Sequence, residues 1–235
     1  MLKHYRPEQV VGVFYFGSAN YQADYQKSDI DTWAIIIEDI YESESYEIEV
    51  QFFNKEVIKY CDIRAYINGI LHSDWQYLLT LYTKYYLLNP LYEDLVVQLF
   101  SRKEKFAYND VVNNTSRLKY WANNYCEKFQ SQRVDGDYGK TLYYCLLIFL
   151  HINTYIYHDK YETLFNNEYY GKQLSQIKTE KYSYWQCRKM LNKIMRSIEK
   201  FNPTYKDYPQ YKDLLPFVQN IKTQFIERYI NGYSN

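Results

Sequence analysis

From Val10 to Phe16 the chain is an apolar run rich in β-branched and aromatic residues that stops at Gly17, the pattern of a buried strand entering a turn. After a polar interval, Ile30 to Ile37 predicts a second buried strand, and the acidic stretch Glu38 to Ser45 a surface loop. Between Tyr46 and Phe53, Ile48, Val50 and Phe52 alternate with Glu47, Glu49 and Gln51, which predicts a strand with one wet face. Val57 to Cys61 predicts another strand, with Asn54 and Lys55 in the turn before it. At Asp62 the period turns helical: Ile63, Tyr66, Ile67 and Ile70 fall on one side.

Beyond Asn89-Pro90 the patterns are helical throughout. Leu91, Leu95, Val96 and Leu99 line one helix, and Val112, Leu118, Trp121 and Tyr125 another. Val134 to Gly139 predicts a loop before a long buried helix from Thr141. Leu191, Ile194, Met195, Ile198 and Phe201 form a stripe that Pro203 ends, and Val218, Ile221, Phe225 and Tyr229 form the last. The expected fold class is α+β, a mixed sheet with helices over residues 1–90, followed by an all-helical part over residues 91–235.

Composition adjusts this picture in three places. Aromatic residues make up 20% of the 235, and 31 are tyrosines, so much of the core carries hydroxyls that need partners. Lys plus Arg equals Asp plus Glu at 28 each, which leaves no overall field to steer the molecule onto nucleic acid; strong non-specific DNA binding is not expected. Cys61, Cys126, Cys145 and Cys187 are widely spaced, with no zinc or disulfide pattern, so reduced thiols and a cytoplasmic location are expected. Lys3, His4, Arg6 and Glu8 interrupt any signal-peptide core. Leu142 to Leu150 is too short to span a bilayer, and no membrane association is expected. His4, His72, His151 and His158 are scattered, without metal or base spacing, and Arg102-Lys103-Glu104-Lys105 reads as a solvated helix end.

The chemistry is concentrated around the first two strands. A strand ends in Phe16-Gly17-Ser18, and a later one opens with Ser28-Asp29-Ile30-Asp31-Thr32. Residues two apart in a strand share a face, so Asp29 and Asp31 present two carboxylates side by side. Such a pair repels unless a cation sits between its members, and a hard divalent ion, Mg²⁺ or Mn²⁺, suits all-oxygen ligands and recruits nucleotide phosphates. Gly17 lets the backbone approach a phosphate, and Ser18 offers a hydroxyl and an amide.

Gly-Ser followed by Asp-x-Asp at the start of a strand resembles the nucleotidyltransferase superfamily to which DNA polymerase beta belongs. Gly17-Ser18-Ala19-Asn20-Tyr21, the spacing to Ser28-Asp29-Ile30-Asp31-Thr32, and Trp33-Ala34-Ile35 are similar to a group of bacterial and phage predicted nucleotidyltransferases. Asp62-Ile63-Arg64, Thr83-Lys84-Tyr85 through Asn89-Pro90, and Leu99-Phe100-Ser101-Arg102 extend the likeness, which covers about residues 11–155. It implies a nucleotidyltransferase-type sheet, Mg²⁺ or Mn²⁺, a nucleoside triphosphate substrate, metal binding by Asp29 and Asp31, and nucleotide binding by Gly17, Ser18, Ser28 and Lys140.

The pattern also breaks. Two-metal transfer needs a third carboxylate from a neighbouring strand. In similar proteins it falls just before the Asp62-Ile63-Arg64 segment, where this chain has Lys59; Glu56, or Glu49 on the preceding strand, is the available substitute, and Glu56 is out of phase with Lys59 unless a bulge intervenes. A glutamate expected around Trp75 to Leu81 is replaced by Gln76, Leu78 and Leu79, and a histidine and an arginine after Gly139-Lys140 by Tyr144 and Leu147. Two functions follow from the resemblance. One is Mg²⁺-dependent transfer of a nucleoside monophosphate to a hydroxyl of nucleic acid, protein or a small molecule, with Asp29, Asp31 and Glu56 as the catalytic acids. The other keeps the fold with weakened turnover and binds a protein or RNA, for example as a phage-encoded inhibitor of a host defence complex in the host cytoplasm; antitoxin-like pairing with a small subunit is a third option.

Overall fold

The computed structural model describes residues 5–16, 21, 30–38, 49–53, 56–131, 138–179, 182–209 and 211–232. It divides into two compact units, one of Met1–Asn20, Ser28–Asn109 and Gln210–Asn235, the other of Tyr21–Lys27 and Asp110–Pro209. The division differs from a boundary near residue 90, because the next two helices and the last one belong with the sheet.

In the first unit, β1 (Val10–Phe16), β2 (Ile30–Ile36), β3 (Glu49–Phe53), β4 (Glu56–Asp62) and β5 (Tyr86–Leu88) form a five-stranded mixed sheet in the order β3-β4-β2-β1-β5. β2 and β4 are parallel; the other neighbouring pairs are antiparallel. Helices α1 (Ile63–Leu71), α2 (Trp75–Tyr82), α3 (Glu93–Phe100), α4 (Lys103–Asn109) and, at the C-terminal end, α10 (Leu214–Gly232) complete the unit. With a mixed sheet and helices in one unit, the α+β class is established.

One sheet face packs on helices. Phe14 stacks on Tyr66 and meets Phe100 edge-on, and Trp33 lies against Tyr77 with ring centroids 5.2 Å apart. On the opposite face Ala34, Ile36 and Tyr60 form a buried cluster with Tyr5, Val10 and Ile58 against it. Burial on both faces explains why β1 and β2 read as continuous apolar runs and not as alternating ones. In α1 the buried residues are Ile63, Tyr66, Ile67 and Ile70, the four that the helical period selects. Gly69 lets α2 approach, since a β-carbon there would come within 2.4 Å of the Tyr77 ring.

The C-terminal helix is fixed to the sheet unit by polar and aromatic contacts. Arg6 donates to the Tyr229 hydroxyl at 2.9 Å, Arg228 donates to the Leu91 carbonyl and grips the Asp94 carboxylate, and Phe225 packs on Tyr92. The basic cluster is engaged too: the Arg102 guanidinium lies 3.8 Å from the Phe217 ring centroid, and Lys105 pairs with Asp213 at 2.6 Å.

In the second unit are α5 (Val111–Ser131), α6 (Tyr138–Ile156), α7 (Thr163–Asn166), α8 (Glu168–Thr179) and α9 (Tyr184–Lys200). The buried face of α5 is Val111, Asn114, Thr115, Leu118, Ala122 and Phe129, which corrects the stripe through Trp121 and Tyr125. Trp121 is exposed, and Asn114 is buried because its amide donates to the Tyr155 hydroxyl at 2.6 Å. Around α6, Tyr21 hydrogen-bonds His151 Nε2 at 3.1 Å, and Tyr161 hydrogen-bonds Nδ1. The Tyr-rich composition is used here as hydroxyl-bearing core. Among the described residues no helix is long and apolar enough to cross a membrane.

Two predictions follow from this packing. The buried Asp62 carboxylate caps α1, accepting from the Arg64 N–H at 2.8 Å, from Arg64 Nε at 2.7 Å and from the Glu38 N–H at 3.1 Å. Replacing it by alanine removes a cap and leaves these donors open, so Asp62→Ala is expected to lower unfolding free energy by about 2–4 kcal/mol in urea titrations. Burial alone holds His151 down to about 3, from an ordinary value near 6.5. The unfolded chain therefore takes up this proton first, and stability present above about pH 6.5 is lost as the pH falls toward 3. Between pH 6.5 and pH 5 the loss is about 2 kcal/mol. Urea unfolding near those two pH values should show that loss in the wild type and its near-absence in His151→Gln.

Candidate functional site

β1 and β2 are antiparallel neighbours, with Tyr15 opposite Thr32 and Phe16 opposite Asp31. The end of β1 that leads into Gly17-Ser18 and the start of β2 that carries Asp31 therefore lie side by side. Gly17, Ser18, Ser28 and Asp29 are outside the described residues; Asp31 and Glu56 are placed by their backbone register. Among the described residues no three His, Cys, Asp or Glu side chains gather closely enough to hold a metal ion.

β4 pairs with β2 one-to-one, from Ile30 opposite Glu56 to Ile36 opposite Asp62. Positions alternate along each strand, and paired positions on adjacent strands share a phase. Val57 is opposite Asp31 and Lys59 opposite Trp33, so Val57, Lys59 and Cys61 are in phase with Asp31. Glu56 stands in the row of Ile30, one residue out of phase, and the pairing contains no bulge that would bring it over. On β3, Phe52 pairs with Val57 and Val50 with Lys59, while Glu49 stands in the row of Tyr60, again out of phase. The in-phase positions of β3 and β4 among the described residues hold no carboxylate.

Lys59 occupies the place expected of the third acid. Its ammonium lies 5.7 Å from the Trp33 ring centroid, a cation–π contact across the β2–β4 pair. Asp62, the remaining acid of β4, is six residues from Glu56, roughly 20 Å along the strand. Its Oδ1 is already used in capping α1, and its Oδ2 accepts the Glu38 N–H. Cys61 is buried, and desolvation with the neighbouring Asp62 charge pushes its thiol up to about 12, so it stays protonated.

The segment before β5 clasps the end of β1. The Thr83 hydroxyl donates to the Tyr15 carbonyl at 2.6 Å, and the Tyr15 N–H donates to the Tyr85 carbonyl at 2.9 Å. Lys84, between these two bonds, is exposed beside the strand end that leads to Gly17. Thr83-Lys84-Tyr85 belongs to the stretch on which the resemblance rests, but nothing in the sequence placed it against β1.

The other positions at which the resemblance implies different residues have structural occupations. Gln76 sits in the first turn of α2, where its N–H donates to Asp74. In the helical unit, Tyr144 stacks on Tyr125 at 4.7 Å and Leu147 is buried, while Lys140 is exposed in the first turn of α6. Tyr21, the last residue of the Gly17–Tyr21 string, is buried in that unit against His151 and Phe165.

No known protein family and no curated protein matches the chain. Among solved structures it is similar to a nucleotidyltransferase-like protein from Exiguobacterium sibiricum 255-15, at 9% identity and a TM-score of 0.32, over 81% of this chain and 69% of that one. A likeness of that degree assigns neither an activity nor a ligand, and the register of β1, β2 and β4 carries the functional reading.

Proposed function

We propose that this chain is a nucleotidyltransferase-superfamily protein that binds a Mg²⁺– or Mn²⁺–nucleoside triphosphate complex at the sheet edge where β1 ends and β2 begins. The observation that carries the proposal is the pairing of Phe16 with Asp31, which joins the two halves of the Gly-Ser and Asp-x-Asp motif at adjacent strand ends. In this reading Asp29 and Asp31 hold the metal, and the Gly17-Ser18 backbone and hydroxyl receive the phosphates. Lys84 adds a point charge nearby. Ser28 and Lys140 enter by resemblance alone.

Full transferase activity would send an acceptor hydroxyl to the α-phosphorus and release pyrophosphate, with a second metal activating the hydroxyl. The register of β4 favours a weakened form of that reaction. Val57 and Lys59 stand where a third acid would share a phase with Asp31, so the donor set fits one hard divalent ion and lacks the ligand for a second. Glu56 receives no metal-binding role. The protein then acts chiefly as a metal–nucleotide binding module with slow turnover.

Calorimetric titration with each nucleoside triphosphate and Mg²⁺ tests the site. At least one should bind the wild type, and Asp29→Ala with Asp31→Ala should weaken it by roughly tenfold or more, about 1.4 kcal/mol per decade. Equal affinity in the double variant, or no binding of any triphosphate to the wild type, would sink the assignment. The missing acid is tested by gain of function: Val57→Asp introduces a carboxylate at the register of Asp31. Pyrophosphate release should rise by at least about tenfold, the size of one modest transition-state interaction. An unchanged rate with triphosphate binding intact would remove the register argument.

A further inference from the structure

The four cysteines differ in their surroundings. Cys61, Cys145 and Cys187 are buried, and Cys126 is partly open. Cys126 borders a cavity of about 380 Å³ inside the helical unit, together with Asn123, Arg188, Asn192 and Glu199, which is ample room for a small polar oxidant.

Cys126 and Cys145 lie on α5 and α6, which pack against each other. Cys145 Sγ lies 3.9 Å from the carbonyl oxygen of Ala122, one helical turn before Cys126. The residues preceding the two cysteines, Tyr125 and Tyr144, are stacked with centroids 4.7 Å apart and planes 7° apart, which fixes the rotation of the helices about this point. These two contacts bring the Cys145 thiol onto the turn of α5 that carries Cys126. Ala122, Cys126 and Cys145 are small, so the helices can approach more closely than the usual 8–10 Å. A disulfide needs its α-carbons about 4.4–6.8 Å apart.

We propose that Cys126 is the peroxide-reactive thiol of this protein and that Cys145 resolves its oxidised form into a disulfide linking α5 to α6. Cys126, as thiolate, attacks one oxygen of hydrogen peroxide and breaks the O–O bond; the departing hydroxide takes up the proton that Cys126 released and leaves as water. Cys145 then attacks the Cys126 sulfenic sulfur, and the displaced hydroxyl leaves as a second water with the Cys145 proton. One peroxide is reduced and two thiols are oxidised to one disulfide.

The order of the steps follows from the local charges. The hydrogen bond from Cys145 holds the Cys126 thiol below the ordinary thiol range, against partial burial and the Glu199 carboxylate. The same bond and burial push Cys145 far above that range. Burial raises Cys61 and Cys187 as well.

The test uses the whole reduced protein. It is treated with limiting hydrogen peroxide, alkylated and digested with trypsin without reductant. The expected product joins the peptide Tyr120–Lys128 to the peptide Thr141–Lys160 and is lost on reduction, with Cys61 and Cys187 recovered alkylated. In Cys145→Ser the link is absent and dimedone captures Cys126 as its sulfenic acid adduct. Oxidation of Cys61 or Cys187 while Cys126 is still alkylated would overturn the proposal. So would a wild-type Cys126 that becomes dimedone-reactive without ever pairing with Cys145.

Discussion

The buried carboxylate of Asp62 ties the end of β4 to the chain just beyond β2, accepting the Glu38 N–H while it caps α1 through Arg64. That bond closes a pairing that runs in step from Ile36 opposite Asp62 back to Ile30 opposite Glu56. A slip of one residue would strand a buried charge at one end and turn Trp33 away from Tyr77 in the middle. Hydrogen bonds to buried charged groups contribute about 1.5–3 kcal/mol each, so the alternative registers lie well above the native one. A structural interaction at one end of the sheet therefore determines which side chains share a phase with Asp31 at the other.

This dependence explains which parts of the fold were legible. β1 and α1 were readable because burial imposes a local pattern: Val10–Phe16 is apolar throughout, and the buried positions of α1 repeat at helical spacing. β5 was not, since Tyr86 and Leu87 are exposed and the strand exists only through its pairing with β1. The buried face of α5 was misplaced because Asn114 and Thr115 are polar, and Asn114 owes its burial to Tyr155, 41 residues away. The boundary near residue 90 failed for a similar reason. The contacts of Arg6 and Asp94 with α10 span more than 130 residues, and no periodicity announces them.

At the candidate site, the motif was legible as strings and its geometry was not. Gly17-Ser18 and Asp29-Ile30-Asp31 announce themselves by residue type, whereas the choice between Glu56 and Val57 as neighbour of Asp31 turns on a single step of register. Strand alternation sets Glu56 out of phase with Lys59, and the unbroken pairing of β2 with β4 excludes the bulge that could bring it into phase. Lys84 is the converse case, a residue without a site role in the sequence that Thr83 and Tyr85 hold at the end of β1.

On the proposed function, Lys59 gives the absence of a carboxylate at this position of β4 an electrostatic logic. Its ammonium rests on Trp33, whose strand position is two residues from Asp31, roughly 7 Å along β2. In the proposed site, a positive charge in phase with Asp31 would oppose entry of a second divalent ion. It cannot polarise an acceptor hydroxyl as a metal can. A single Val57→Asp change supplies a ligand in the row of Asp31 but leaves that ammonium in place. Under the proposed function, the rate gained would therefore stay below that of a site in which Lys59 is also removed, and the two changes should act more than additively because they bear on the same ion.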